Sequence, residues 1–283
     1  MDIERVGVIG FGLMGGGIAQ VCAVHGYDVT VLDVDDERVR RGHDAIRARL
    51  ERDVSRGRMT SDTCERALGR IVGSTRYDEL GGCDLVIEAA VEDLAAKREV
   101  FKRLGEVTGP QAILSSNTSS LPLSDMAAAS GRPERVIGLH FFNPPYALRL
   151  VEVVIPESTS QQTVGAAMEF CDTIDRVTVR VKDTPGFIVN RLLVPFIFDA
   201  IHLVESGTAS AQDVDQACKI GLNHAMGPLA TADLIGLDTL LYISESMFEE
   251  YGEPRFKAPT SLRRMVSLGH LGRKSGRGFF TYE

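Results

Sequence analysis

The sequence predicts an α/β protein in which an open, mainly parallel sheet is followed by an all-helical C-terminal domain. Three observations carry the prediction. Short apolar runs alternate with stretches of helical periodicity along the first part of the chain. The first run, Val6-Gly7-Val8-Ile9, leads straight into Gly10-Phe11-Gly12-Leu13-Met14-Gly15. Past Lys182-Asp183-Thr184-Pro185-Gly186 the strand-like runs cease, and helical segments with short Gly/Pro breaks replace them. A boundary near residue 182 follows, dividing the chain into residues 1–182 and 183–283.

Each part of the opening segment answers a geometric demand of dinucleotide binding. Gly10 permits a tight turn out of the first strand, Gly12 leaves room for a pyrophosphate, and Gly15 lets the next helix pack close. The phosphates would meet the free N–H groups where that helix begins, at Leu13 and Met14. Ile18, Val21 and Cys22 give the helix its apolar face, and Gly26 closes it. Asp28-Val29-Thr30-Val31-Leu32-Asp33 then makes a second strand ending in a carboxylate placed for a ribose diol. The first domain is therefore expected to be a Rossmann-type dinucleotide-binding domain. Asp33 would repel a 2′-phosphate, which favours NAD over NADP.

The later elements follow the same alternation. Residues 37–57 read as a long charged helix burying Val39, Ile46 and Leu50. Leu85–Ala90, Ile113–Asn117, Val136–His140, Leu150–Val154 and Thr178–Val181 read as strands.

Composition narrows the class of partner. The chain has 283 residues, enough for a substantial core, with 44% hydrophobic and 25% charged residues. A formal charge of −8 gives no general attraction to nucleic acid or to an anionic membrane. Met1-Asp2-Ile3-Glu4-Arg5 lacks the order of a secretory signal, and no apolar stretch reaches transmembrane length. Cys22, Cys64, Cys83, Cys171 and Cys218 form no close pair, so neither a metal site nor a disulfide framework is expected. They read as small buried residues with reduced thiols, in keeping with a cytoplasmic location.

His140 stands at the expected C-terminal end of a strand, where open parallel sheets place ligand groups. Phe141-Phe142-Asn143-Pro144-Pro145 then leaves the strand sharply, so Glu152 can return on a neighbouring strand and meet the imidazole. A carboxylate on one ring nitrogen would leave the other to take a proton from an alcohol. Taken alone, His140 fits a structural role equally well. Ser115-Ser116-Asn117-Thr118-Ser119-Ser120 ends another strand. Ser119 is placed to hold a substrate hydroxyl and Asn117 to contact the ribose or nicotinamide, although helix capping before Pro122 explains the same residues. Asn190, in Pro185-Gly186-Phe187-Ile188-Val189-Asn190-Arg191, reads either as a polar residue closing a site or as a buried structural hydrogen bond.

The combined pattern resembles the short-chain (3S)-3-hydroxyacyl-CoA dehydrogenase family along nearly the whole chain. The pieces that carry the resemblance are Gly10–Ala19, Asn117–Ser120, His140–Pro144, Leu150–Val153, Pro185–Arg191, Met226–Pro228, Gly236–Asp238 and the Leu271–Phe279 tail. The resemblance implies NAD-dependent, reversible oxidation of a (3S)-3-hydroxyacyl-CoA, short-chain such as 3-hydroxybutyryl-CoA, to the 3-oxoacyl-CoA. It implies a catalytic His140 oriented by Glu152, with Ser119 on the substrate hydroxyl and Asn190 positioning the carbonyl or the histidine. Asn117, Glu92 and Lys97 would lie near the cofactor, with Asp33 on its ribose. Arg56, and Arg49 where some relatives carry serine, would meet the CoA phosphates from the long helix. A homodimer built on the helical domain and a setting in fatty-acid or butanoate metabolism are also implied. Pro145-Tyr146-Ala147 departs from the family's usual Val-Pro-Val, and Ala225 stands where proline is common. The altered loop and Arg49 keep open a related dehydrogenase acting on an acyl group held by acyl carrier protein. A non-enzymatic NAD-binding protein is the alternative from another class.

Overall fold

The computed structural model describes residues 2–282. The first apolar run makes β1 (Arg5–Ile9), buried at every residue but the first. Glycine-led turns and amphipathic helices then carry the chain through α1 (Leu13–Val24), β2 (Asp28–Leu32), α2 (Asp36–Ser55), α3 (Ser61–Gly69), β3 (Ile71–Ser74) and β4 (Leu85–Glu88). The unit continues with α4 (Leu94–Val107), β5 (Ile113–Ser116), α5 (Leu123–Ala129), β6 (Val136–Phe141), β7 (Leu150–Ile155), α6 (Gln161–Thr173) and β8 (Val177–Lys182).

These strands form one sheet in the order β3-β2-β1-β4-β5-β6-β7-β8. All neighbours are parallel except β6 and β7, so the last two strands run against the rest. The order reverses between β1 and β4, and a crevice at the carboxyl ends of the strands follows from that switch. β4, β5 and β6 are buried at every residue, as in a sheet covered on both faces, and their polar residues Glu88, Ser115, Ser116 and His140 fall toward the carboxyl ends. Helix caps agree with the strand–helix alternation. Asp35, Thr60, Asp93 and Ser160 accept from backbone N–H groups in the first turns of α2, α3, α4 and α6. Along α2, Ile46 and Leu50 are buried and Val39 is half-buried.

The chain divides into two compact units, Met1–Thr184 and Pro185–Glu283. The second contains α7 (Val189–Glu205), α8 (Ala211–Gly221), α9 (Pro228–Ile235), α10 (Leu237–Tyr251) and α11 (Thr260–Ser267). Val194, Ile197, Phe198 and Ile201 make the buried stripe of α7 at helical spacing, and it packs in a core with Leu229, Leu240, Met247 and Leu262. Two buried carboxylates tie this unit together. Asp215 accepts from Leu229 N–H (2.8 Å) and Ala230 N–H (2.9 Å) at the start of α9. Asp233 accepts from Phe279 N–H, Phe280 N–H and the Tyr282 hydroxyl, each at 2.9 Å, and so fastens the C-terminal tail.

The described cysteines are unpaired, and all but Cys218 are buried. Burial pushes the Cys22 thiol up to about 12 and the Cys83 thiol up to about 11, as expected of structural rather than nucleophilic cysteines. Among the described residues, no helix is long and apolar enough to cross a membrane and no cluster of potential ligands could hold a metal ion.

Candidate active site

The glycines between β1 and α1 are shaped by contact and by vacancy. Gly10 has φ of +93°, and a Cβ there would lie 2.7 Å from the Ala89 carbonyl oxygen. At Gly15 a Cβ would lie 1.8 Å from the Gly10 carbonyl oxygen, so only glycine lets α1 begin this close to the strand. Gly12 differs, because no heavy atom lies within 4 Å of the Cβ position. That open side faces a cavity of about 490 Å³ whose walls include Gly12, Leu13, Gly16, Asp33 and Arg49. The first hydrogen bond of α1 runs from Gly16 N–H to the Gly12 carbonyl, leaving the N–H groups of Leu13, Met14 and Gly15 at the helix end. No side chain caps that end. The segment therefore fits a pyrophosphate, with room for the group and donors directed at it.

Asp33 closes the other side of the loop. Its Oδ2 accepts from Phe11 N–H and its Oδ1 from Val34 N–H, both at 2.7 Å. The carboxylate is thus held in place at the end of β2, beside the cavity, where the ribose reading requires it.

His140 is the fifth residue of β6 and Glu152 the third of β7, and the two are register partners. Side chains directly opposite share one face of the sheet. The His140 Nδ1–H accordingly donates to Glu152 Oε2 at 2.7 Å, with the imidazole 4% and the glutamate 0% exposed. Fixing the proton on Nδ1 leaves Nε2 of the neutral ring as an acceptor, and Ser119 Oγ lies 2.9 Å from it. The ring of Phe142 packs on the imidazole with centroids 4.6 Å apart. The structure thus joins three residues that the sequence only suggested: a carboxylate, an imidazole and a hydroxyl, in line.

Asn117 follows β5, and its Oδ1 accepts from Phe141 N–H at 2.8 Å. One end of its amide therefore braces the strand that carries His140. Glu92 lies in the loop after β4, where its Oε1 accepts from Thr118 Oγ1 (2.5 Å) and Ser119 N–H (3.1 Å). Lys97, on α4, is buried with its Nζ 2.6 Å from Glu88 Oε1 and 3.3 Å from Glu92 Oε2. Sequence reasoning missed Glu88 and Thr118. The available signal for Glu88 was a carboxylate ending the apolar run Leu85-Val86-Ile87, at the carboxyl end of a central strand.

Arg49 is half-buried on α2, and burial pushes its guanidinium below its ordinary range. Its Nε–H donates to Gln20 Oε1 at 2.8 Å, and its guanidinium lies 5.4 Å from the centroid of the Tyr146 ring. It is engaged rather than part of a solvated helix face. Arg56 is exposed where α2 ends. Asn190 is the second residue of α7, partly exposed, in the second unit.

A glycine-turn cradle by itself serves proteins with many activities. Joined in one sheet to an oriented, proton-accepting imidazole, it defines a class, the NAD-dependent dehydrogenases. Two family models place the chain within that class: "3-hydroxyacyl-CoA dehydrogenase, NAD binding domain" matches residues 5–184, and "3-hydroxyacyl-CoA dehydrogenase, C-terminal domain" matches residues 186–282. The chain belongs to the 3-hydroxyacyl-CoA dehydrogenase family.

It is 49% identical over 282 residues to a 3-hydroxybutyryl-CoA dehydrogenase of Mycobacterium tuberculosis, covering 99% of each chain. It is 43% identical to a probable 3-hydroxybutyryl-CoA dehydrogenase of Bacillus subtilis, covering 100% of this chain and 99% of that one. Among solved structures it is similar to (S)-3-hydroxybutyryl-CoA dehydrogenase PaaH1 of Ralstonia eutropha, with a TM-score of 0.95, 40% identity and 100% of each chain covered.

Proposed function

We propose that this chain catalyses the reversible, NAD-dependent oxidation of short-chain (3S)-3-hydroxyacyl-CoA thioesters, such as 3-hydroxybutyryl-CoA, to 3-oxoacyl-CoA. The observation that carries the reading is the imidazole of His140 held between Glu152 and Ser119. Bound NAD would supply the hydride acceptor. Ser119 and His140 Nε2 would share the substrate hydroxyl, and Nε2 would take its proton as the carbon loses hydride. Glu152 would stabilise the imidazolium that forms. In the reverse direction the protonated ring would return the proton to the forming alkoxide.

The other roles rest on position. Gly10, Gly12, Leu13, Met14 and Gly15 would cradle the pyrophosphate and Asp33 would bind the ribose. Asn117, Glu92 and Lys97 would shape the nicotinamide side, and Asn190 would position the reacting carbonyl or the histidine. Arg49 and Arg56 supply cations for CoA phosphates. The relatives' names specify CoA, which favours it over a carrier-protein thioester. Exposed Leu192, Ile220 and Leu222 on the helical unit support a homodimer, and unpaired cysteines fit a reducing cytoplasm.

A panel of (3S)- and (3R)-3-hydroxyacyl thioesters on CoA and on carrier protein, followed by NADH absorbance, tests this function. Turnover of the (3S)-CoA thioester and not of its (3R) isomer is expected. Preference for the (3R) isomer or for the carrier-bound form would overturn the assignment.

A further inference from the structure

Beneath the proposed proton relay lies a support that the proton transfer itself does not use. The Ser119 backbone and the Thr118 hydroxyl both donate to Glu92, and Glu92 is paired with the buried Lys97. Lys97 is in turn paired with Glu88, which is fully buried at the end of β4. A second route leaves the same carboxylate. Ser116 Oγ donates to Glu88 Oε2 at 2.6 Å and accepts from Thr118 N–H at 3.1 Å. Ala90 N–H also donates to Glu88, at 2.7 Å. Both routes end on the 118–119 segment, and both begin at Glu88.

Packing α4 against the sheet does not call for such a pair. Two buried charges carry a desolvation cost that well-packed apolar side chains avoid. An apolar pair, however, could neither hold the Glu92 carboxylate nor accept from Ser116. Apart from the bond to Ala90 N–H, the side-chain contacts of Glu88 and Lys97 lead to the short polar segment beside the imidazole.

We propose that Glu88 is a positioning residue for the reaction: by way of Lys97–Glu92 and of Ser116 it sets the Thr118–Ser119 segment, and with it the hydroxyl that meets His140. The inference rests on the reading of Ser119 and His140 as the groups that handle the substrate alcohol. Its sequence signal is slight, because by either route Glu88 reaches the histidine only through three other residues.

Glu88→Gln keeps the shape and removes the charge and one acceptor. The expected result is a fall in kcat of about tenfold, smaller than the 10²–10⁴-fold of a lost general base. KM for the acyl thioester should change little, and the primary deuterium isotope effect should rise as misalignment slows hydride transfer. In the cofactor-free protein, amide hydrogen exchange should accelerate at Thr118 and Ser119 and not across the sheet. That arm stands whatever the substrate proves to be, whereas an inactive parent enzyme would defeat only the proposed function. Glu88→Gln combined with Lys97→Met restores a neutral core should the single variant fold poorly. It should regain the parent's thermal midpoint while kcat stays low. Parent-like kcat and local exchange in folded Glu88→Gln, or full recovery of kcat in the double variant, would overturn the proposal.

Discussion

His140 and Glu152 meet because β6 and β7 are antiparallel register partners, which puts the two side chains opposite each other on one face with a 2.7 Å hydrogen bond between them. The twelve-residue separation that left their contact open in sequence is closed by the antiparallel return of β7 alongside β6. Removing the ring in His140→Ala should lower kcat/KM by about 10²–10⁴-fold. Glu152→Gln should fall between that variant and the parent, since the ring remains but loses its anionic partner. NAD affinity, read by isothermal titration, should be unchanged in both. Parent-like turnover in His140→Ala would eliminate the general-base role.

Asp33 is fastened to the glycine loop through Phe11 N–H and to its own strand end through Val34 N–H. Asp33→Lys removes the ribose acceptor and ends the repulsion of a 2′-phosphate. Hydrogen bonds to charged groups contribute about 1.5–3 kcal/mol, so NAD affinity should drop by about tenfold to a hundredfold. The ratio of kcat/KM with NAD to that with NADP should fall. An unchanged ratio would show that the carboxylate does not contact the ribose.

The loop glycines separate by cause. Gly15→Ala would drive a methyl into the Gly10 carbonyl, 1.8 Å away, and should destabilise the first unit by about 1–3 kcal/mol or more. Gly12→Ala meets nothing within 4 Å, so the fold should keep its denaturation midpoint while NAD binding weakens. Urea unfolding and NADH fluorescence titration on the two variants check this. Loss of stability in Gly12→Ala with NAD binding intact would reverse the assignment.

Tyr282 links the C-terminal tail to alkaline stability. Burial, the hydrogen bond to Asp233 and that group's negative charge push its phenol up to about 12, against an ordinary 10.0. Below about 10 the phenol is protonated in both states, so this contribution is fully present. Between about 10 and about 12 the unfolded chain ionises first and binds fewer protons, so stability falls as pH rises. Tyr282→Phe should lack that component and show a shallower decline in urea midpoint across the window. An identical decline in both proteins would mean that another group controls it.

Much of this fold was legible before any coordinate was known, but unevenly. β1, β2, β4, β5 and β6 announce themselves because each carries a short buried apolar run in a sheet covered on both faces. β3 and α3 did not. Ile71–Ser74 is a four-residue edge strand containing a glycine and an exposed Val72, so neither face demanded a pattern. Leu13 and Met14 at the start of α1, and Asp33 at the end of β2, could be placed from local turn and strand pattern. The pairing of Glu88 with Lys97 could not, since an ion pair between two segments has no local signature; Lys97 itself entered only through the family resemblance.

What the amino-acid order settled by itself was the dinucleotide cradle and the strand–helix alternation, because turn geometry and hydrophobic period act over a few neighbouring residues. Only the tertiary structure decided which polar groups meet. Glu152 reaches His140 through antiparallel register, Ser119 through the end of β5, and Glu88 reaches Ser119 through a lysine on α4. Contacts of that kind depend on strand order and direction, which are fixed by burying the whole sheet at once rather than by any single segment.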